Sequence, residues 1–164
     1  MSTLSTVIET IKFNRDRTLK TLSTVDAEPN PRSVLAWRPG PGRAHIGWQL
    51  MHIGITEELF ASDRLGKPKP PAYAEYFARF KGGSTPDDDV PTPDFIRRVL
   101  GETRERLLAT LGQLDENGLD VIPDGLLKER GWSLRTALQV IAWHEPHHQG
   151  QAHITYNLYK AATK

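Results

Sequence analysis

Apolar residues recur every three to four positions in four stretches of the chain, which is the pattern of amphipathic helices. These stretches cover residues 3–23, 44–65, 93–114 and 134 to about 159. Thr92 and Ser133 directly precede two of them and are suitable N-cap residues. No stretch has the alternation of a strand. The sequence therefore predicts an all-α fold, an up-down four-helix bundle with long connections.

The three predicted connections, residues 27–43, 66–93 and 115–131, are rich in proline and glycine. Trp37 is the expected anchor of the first, with its ring buried against the bundle. Loops as long as residues 66–93 are commonly lids or binding segments. The alternative is that the aromatic residues of this loop only cover one end of the bundle; they are Tyr73, Tyr76, Phe77 and Phe80.

Composition narrows the class of protein. A chain of 164 residues fits a single domain, residues 1–164, with a core large enough to be stable without cross-links. The 21 basic and 20 acidic residues are balanced and form no basic, aromatic-interleaved run, so we expect a small-molecule ligand rather than nucleic acid or a membrane. Residues 1–12 lack the pattern of a signal peptide, and no apolar run is long enough to span a membrane. We expect a cytoplasmic protein.

The absence of cysteine limits the chemistry. Without thiolates, any metal site must use histidine or carboxylate ligands. A thiol can take part in a reaction only as an external cosubstrate.

Three of the six histidines fall within residues 144–148. Residues four apart lie on one face of a helix, so His144 and His148 can direct their rings to one point. They continue an apolar stripe, and buried imidazoles without partners cost about 1–3 kcal/mol each. A shared metal ion would satisfy both. Pro146 lies between them, removes the hydrogen bond to the Ala142 carbonyl and should bend the helix.

A third histidine, His52, faces inward on the second predicted helix, on the same side as Trp48 and Gln49. Such a histidine is often only a core residue, but here it could complete a three-histidine site. His45 has the same direction about 10 Å along the axis and is the alternative ligand if the register differs.

Two neighbours of the histidine pair are candidates for proton transfer, His147 and Glu145. His147 lies about 60° around the helix from His144, at the entrance of the site or next to the ligands. We expect both on the helix surface, where a solvated or supporting role is the alternative.

The sequences GWQLMH at 47–52 and HEPHHQGQ at 144–151 resemble the DinB/YfiT-like family of metal-binding four-helix bundles over essentially the whole chain. The resemblance implies that His52, His144 and His148 are metal ligands, that Gly150 permits close helix packing, and that the protein is a homodimer. Pro146 and Gln149 depart from the family pattern, in which a small residue and an arginine are usual. Characterised relatives include thiol-dependent transferases and isomerases, and metal-dependent hydrolases.

Three hypotheses follow. In the first, three neutral imidazoles bind a divalent ion and leave one coordination position open. The ion is zinc by default, with nickel or iron as alternatives. The open position binds an external thiol as thiolate or a water as hydroxide. In the second, the ion only stabilises a non-catalytic, dimeric protein. In the third, the inward histidines are hydrogen-bonded and bind no metal.

Overall fold

The computed structural model describes residues 2–65 and 70–163. These residues form an all-α structure with no strand. They contain seven helices: α1 (Thr3–Asp26), α2 (Pro31–Ala36), α3 (Ile46–Leu59), α4 (Phe77–Phe80), α5 (Pro93–Leu111), α6 (Leu126–Glu129) and α7 (Leu134–Ala162). The four predicted helices correspond to α1, α3, α5 and α7.

The ends of these helices follow from local chemistry. Thr92 accepts a hydrogen bond from the backbone N–H of Phe95, and Ser133 accepts one from Thr136, so both predicted N-caps are confirmed. The second predicted helix is not regular throughout. It continues beyond the end of α3 as a π-helical turn, Phe60–Arg64.

The connections are more structured than predicted. They hold α2, α4, α6 and two 3-10 turns, Ala74–Tyr76 and Glu116–Gly118. Residues 66–69 of the predicted loop lie outside the described residues. Beyond them, Phe80 is buried and the other three aromatic residues pack against the core, as the alternative of a cover over the bundle expects. Trp37 contacts the ring of Tyr159 edge-on, at 6.0 Å between centroids, in the anchoring role predicted for it.

The core consists of two apolar clusters with an ionic layer between them. The first cluster includes Leu22, Ile53 and Leu100, and the second includes Ile11, Leu107 and Ile141. Each long helix contributes one buried charged residue to an ion-paired group of four that lies between the two clusters. These four residues, the ionic quartet, are Arg15, Glu57, Arg104 and Glu145.

The order of the clusters along each helix gives its direction. α1 and α7 pass from the second cluster to the first, whereas α3 and α5 pass from the first to the second. The consecutive helices α3 and α5 therefore run the same way, and the strictly alternating up-down order does not hold between them. The long connection between α3 and α5 allows this, because it can return along the length of the bundle.

Pro146 does not interrupt α7, which is continuous from Leu134 to Ala162. Proline lacks the N–H that would bond the Ala142 carbonyl. The side-chain amide of Asn14 in α1 donates to that carbonyl instead, at 3.1 Å. The predicted loss within the helix is thus compensated by a neighbouring helix.

Close helix packing occurs at a glycine other than the expected one. A Cβ atom added to Gly54 would lie 2.9 Å from Val99 of α5, which explains why α3 needs glycine there. At Gly150 an added Cβ would meet nothing within 4 Å. The role implied for Gly150, close packing of the helix, is therefore wrong within this chain.

Candidate metal centre

Three histidines from two helices converge at one point. His52 of α3 is buried, and His144 and His148 of α7 are partly buried. One ring nitrogen of each lies within 4.8 Å of the other two, and the Nε2 atoms of His52 and His144 are 3.1 Å apart. This is the set that the sequence predicted, brought together by the packing of α3 against α7.

Hydrogen bonds at Nδ1 orient the rings of His52 and His148. Nδ1 of His52 lies 2.6 Å from the Phe80 carbonyl, and Nδ1 of His148 lies 2.6 Å from Oε1 of Gln49. Because both partners are acceptors, each Nδ1 carries the proton and each Nε2 keeps a free lone pair. Hydrogen bonds of this kind fix the tautomer of metal-binding histidines. Trp48 stacks on the His52 ring at 4.7 Å and holds its plane.

His144 differs from its two neighbours. Its Nδ1 atom is buried and has no hydrogen-bond partner among the described residues. Its Nε2 atom faces the His52 Nε2 atom, whose lone pair is free. Either the two nitrogens share one proton in a hydrogen bond, or a cation lies between the two lone pairs.

The donor set fits a divalent transition ion. With zinc-to-nitrogen bonds of 2.0–2.1 Å, two nitrogens on one tetrahedral ion lie about 3.3 Å apart. The separation of 3.1 Å between His52 and His144 is close to that value. Three imidazoles and no carboxylate form the cluster, which leaves a fourth position open to solvent or substrate.

The environment keeps the imidazoles uncharged. Burial, followed by the charge of His52, lowers the pKa of His144 to about 2. Burial and the same neighbour lower the pKa of His148 to about 4. The pKa of His52 is lowered as well, mainly by burial. At neutral pH all three are therefore in the form that binds metal.

The other predicted site residues lie elsewhere. His45 is the N-cap of α3: its Nδ1 accepts the Trp48 N–H at 3.0 Å and its Nε2 lies 2.9 Å from the Asp87 carbonyl. His45, the alternative ligand, therefore caps the N-terminus of α3 and is not part of the histidine cluster. His147 is exposed and stacks on Trp143, with ring centroids 4.6 Å apart, beside the site as expected.

Glu145 was expected on the helix surface, and this expectation is wrong. It is 2% exposed and pairs with Arg15 and Arg104 in the ionic quartet. The physical reason is that Glu145 belongs to the buried face of α7, beside Leu138, Ile141 and Ala152.

Sequence reasoning missed the groups that support the ligands. Gln49 lies three positions before His52 on the same side of α3, a signal that was present in the sequence. The carbonyl of Phe80 had no such signal, because any residue offers one. No sequence pattern indicates the residues that line the cavity beside the ligands, because they come from separate segments of the chain.

Comparison with known proteins identifies the family of this chain. A family model described as DinB superfamily matches residues 10–152, which is most of the chain. The chain belongs to the DinB superfamily. No curated protein and no solved structure matched it.

Membership of the DinB superfamily agrees with the site. The superfamily is metal-binding, and His52, His144 and His148 are placed where they can bind an ion. Within the part of the chain that the structure describes, this DinB protein has no helix that is both long and apolar enough to cross a membrane.

Proposed function

We propose that this DinB protein binds one divalent transition ion through His52, His144 and His148 and uses it to transfer an external thiol to a small electrophilic substrate. The observation that carries the proposal is the pair of Nε2 atoms, of His52 and His144, that face each other at 3.1 Å. Zinc is the default ion, and nickel or iron accept the same ligands. When bound, such an ion supplies Lewis acidity that lowers the pKa of a thiol or a water.

The residues of the chain supply positioning. The Phe80 carbonyl and Gln49 hold two imidazoles in the tautomer that presents Nε2. Trp48 covers one face of the His52 ring and keeps water from it. His147 is the proposed proton relay at the exposed rim, because its ring lies 4.9 Å from that of His148. Glu145 is removed from this role, since its carboxylate is bound by two arginines.

Elemental analysis of protein purified without chelators or a nickel column tests the metal site. We expect about one divalent transition ion per chain. His52→Ala, His144→Ala and His148→Ala should each lose it, because two imidazoles bind more weakly than three. Full occupancy in any of these variants would remove that residue from the site.

Two variants serve as controls. His153→Ala changes an exposed histidine of α7 and should keep the ion. His147→Gln should also keep it, and should change only the rate of transfer. Loss of metal from His147→Gln would make His147 a ligand.

Spectroscopy of cobalt-substituted protein separates the two chemistries. Addition of 2-mercaptoethanol should produce a sulfur-to-cobalt charge-transfer band in the near ultraviolet, and no group of this cysteine-free chain can supply it. The second candidate is a hydrolase, favoured if the band is absent while ester hydrolysis has an inflection near neutral pH. Binding of neither thiol nor substrate by loaded protein would favour a non-catalytic metal protein.

The homodimer and the cytoplasmic location are parts of the same proposal. Support for a dimer comes from α7, where Trp143, Ile154 and Leu158 are 59%, 60% and 47% exposed. These three residues lie within about 60° of one another around the helix, and an apolar patch on one exposed face is typical of an interface between subunits. Sedimentation of the purified protein tests whether it is a dimer.

A further inference from the structure

A cavity of about 360 Å³ opens beside the three histidines. His52 and His144 form part of its wall, and the remaining wall comes from four separate segments. They are the end of α3 with its π-helical turn, the residues after α4, the residues before α7, and α7 itself. A ligand in this cavity would touch the candidate metal centre.

The cavity is strongly cationic. Arg64, Lys81 and Arg130 line it, and no aspartate or glutamate does so among the described residues. None of the three forms an ion pair within the described part of the chain, unlike Arg106, which pairs with buried Glu58. Three cations that form no ion pair and surround one cavity create a positive potential that attracts an anion.

Two of the cations are held in place by aromatic rings. The guanidinium carbon of Arg64 lies 4.9 Å from the centre of the Phe60 ring, and that of Arg130 lies 4.9 Å from the Trp132 ring. Stacking fixes the plane of a guanidinium group, which then presents its N–H groups in a defined direction. Both rings also line the cavity.

Arg64 has unused hydrogen-bonding capacity. Its Nε atom is buried and has no partner in residues 2–65 and 70–163. A buried donor without an acceptor is unfavourable, and a bound oxyanion would supply the missing acceptor. Burial also lowers the pKa of Arg64; the neighbouring charge of Asp63 opposes this effect and that of Arg130 adds to it. Arg64 belongs to the π-helical turn, a feature that is frequent at functional sites.

A part of the wall is apolar. Leu59, Phe60, Trp132 and Val140 contribute it, so the cavity suits a ligand with an apolar body as well as a charged head. A free inorganic ion would leave this surface uncovered.

We propose that the cavity binds the substrate through an oxyanion on an apolar body. Arg64 and Arg130 hold the oxyanion, Lys81 adds charge at the mouth, and the body lies against Trp132 with its reactive part toward His52 and His144. The shared chemistry of the ligand is a carboxylate or a phosphate. The assignment as substrate rests on the proposed function, whereas the anion site itself is independent of the ion.

Calorimetric titration at constant ionic strength tests the site. The probes are benzoate, phenyl phosphate and the neutral analogue benzamide, each added to metal-loaded and to chelator-treated protein. We expect at least one anion to bind both forms, and benzamide to bind at least about tenfold more weakly, because a hydrogen bond to a charged group contributes about 1.5–3 kcal/mol. The stronger of the two anions identifies the head group.

Variants locate the binding. Arg130→Gln and Arg64→Gln should each weaken the anion about tenfold or more, with metal content and circular dichroism unchanged. Arg98→Gln is the matched control, since Arg98 is exposed and lies over the ring of Phe95 at 5.0 Å but does not line the cavity. Arg130 is exposed, so its replacement does not threaten folding even if that of Arg64 does.

The outcomes separate this site from the metal site. Anion binding that survives the chelator and is lost in Arg130→Gln supports the proposal even if no metal is found. Binding that requires the metal and is unchanged in both arginine variants would mean that the anion binds the ion directly, and would overturn it. Absence of binding by both anions would overturn it as well.

Discussion

Nδ1 of His148 has one buried partner, the side-chain amide of Gln49. Gln49→Leu keeps a similar volume and removes the acceptor at 2.6 Å. We expect metal affinity to fall about 10-fold or more, because loss of a partner that orients a ligand commonly costs 10–100-fold. Competition with a fluorescent zinc chelator measures the change.

Gln151→Leu is the control for that variant. Gln151 also places its Oε1 near Nδ1 of His148, but at 3.2 Å and from an exposed position. Its loss should have a smaller effect on affinity. Equal effects of the two variants would contradict the role of Gln49.

The lowered pKa values of the ligands predict how metal binding responds to acid. A proton competes with the ion only as the pH approaches the pKa of the folded protein, which is about 4 for His148 and about 2 for His144. The affinity for zinc should therefore change little between pH 7.5 and 6 and fall steeply at lower pH. Titration of the protein at several pH values measures this.

An unshifted three-histidine site behaves differently. With pKa values near 6.5, it loses affinity as soon as the pH falls below neutrality. A slope of that kind between pH 7.5 and 6 would mean that the imidazoles are solvated in the folded protein.

At the scale of elements, the ionic quartet joins all four long helices. Glu145→Gln preserves shape but leaves Arg15 and Arg104 with one carboxylate in a buried position. Removal of one partner from a buried ion pair typically costs about 3–5 kcal/mol. We expect a loss of unfolding free energy of that size in urea denaturation of metal-free protein.

An exposed pair provides the comparison. Asp120 pairs with Arg135, and 79% of its side chain is exposed. Asp120→Asn should change the unfolding free energy by less than about 1 kcal/mol, because water already solvates both charges. A similarly small effect of Glu145→Gln would show that water reaches the quartet.

The quartet also marks the limit of sequence reasoning. Apolar spacing predicted the four long helices and the inward position of His52, because burial of one face imposes that spacing. The same logic assigns charged residues to the outer face, whereas Glu57 and Glu145 are both only 2% exposed. Their partners, Arg15 and Arg104, lie on other helices, and helical periodicity contains no information on such pairs.

The alternating up-down order was a wrong prediction for the direction of α5, for a related reason. Short loops force neighbouring helices to alternate, but the chain between α3 and α5 is long enough to permit either direction. The cavity of Arg64, Lys81 and Arg130 could not be predicted at all, since it forms only when α3, the connection that follows it, the segment before α7, and α7 itself meet.

At the scale of the whole molecule, a bound ion would cross-link α3 to α7. An ion that binds only the folded protein adds about 2.7 kcal/mol when its free concentration is 100 times the dissociation constant. We expect zinc to raise the unfolding free energy accordingly, mainly by slowing unfolding, because the ligands lie 92 residues apart and meet only when the bundle is assembled.

Stopped-flow folding in urea, with and without zinc, measures both rates. His144→Ala should abolish the effect, and His153→Ala should retain it. A zinc-dependent increase of the folding rate instead would mean that the ion binds an early intermediate.

The bond from Asn14 to the Ala142 carbonyl has a consequence for how related sequences diverge. Because Pro146 removes the usual partner of that carbonyl, a donor at position 14 is useful only while proline occupies position 146. In a related chain with a residue other than proline at position 146, the backbone N–H is restored and position 14 can vary. In a chain that keeps proline at 146, position 14 is expected to keep a hydrogen-bond donor. These two positions should therefore change together over evolutionary time, although they lie near opposite ends of the sequence.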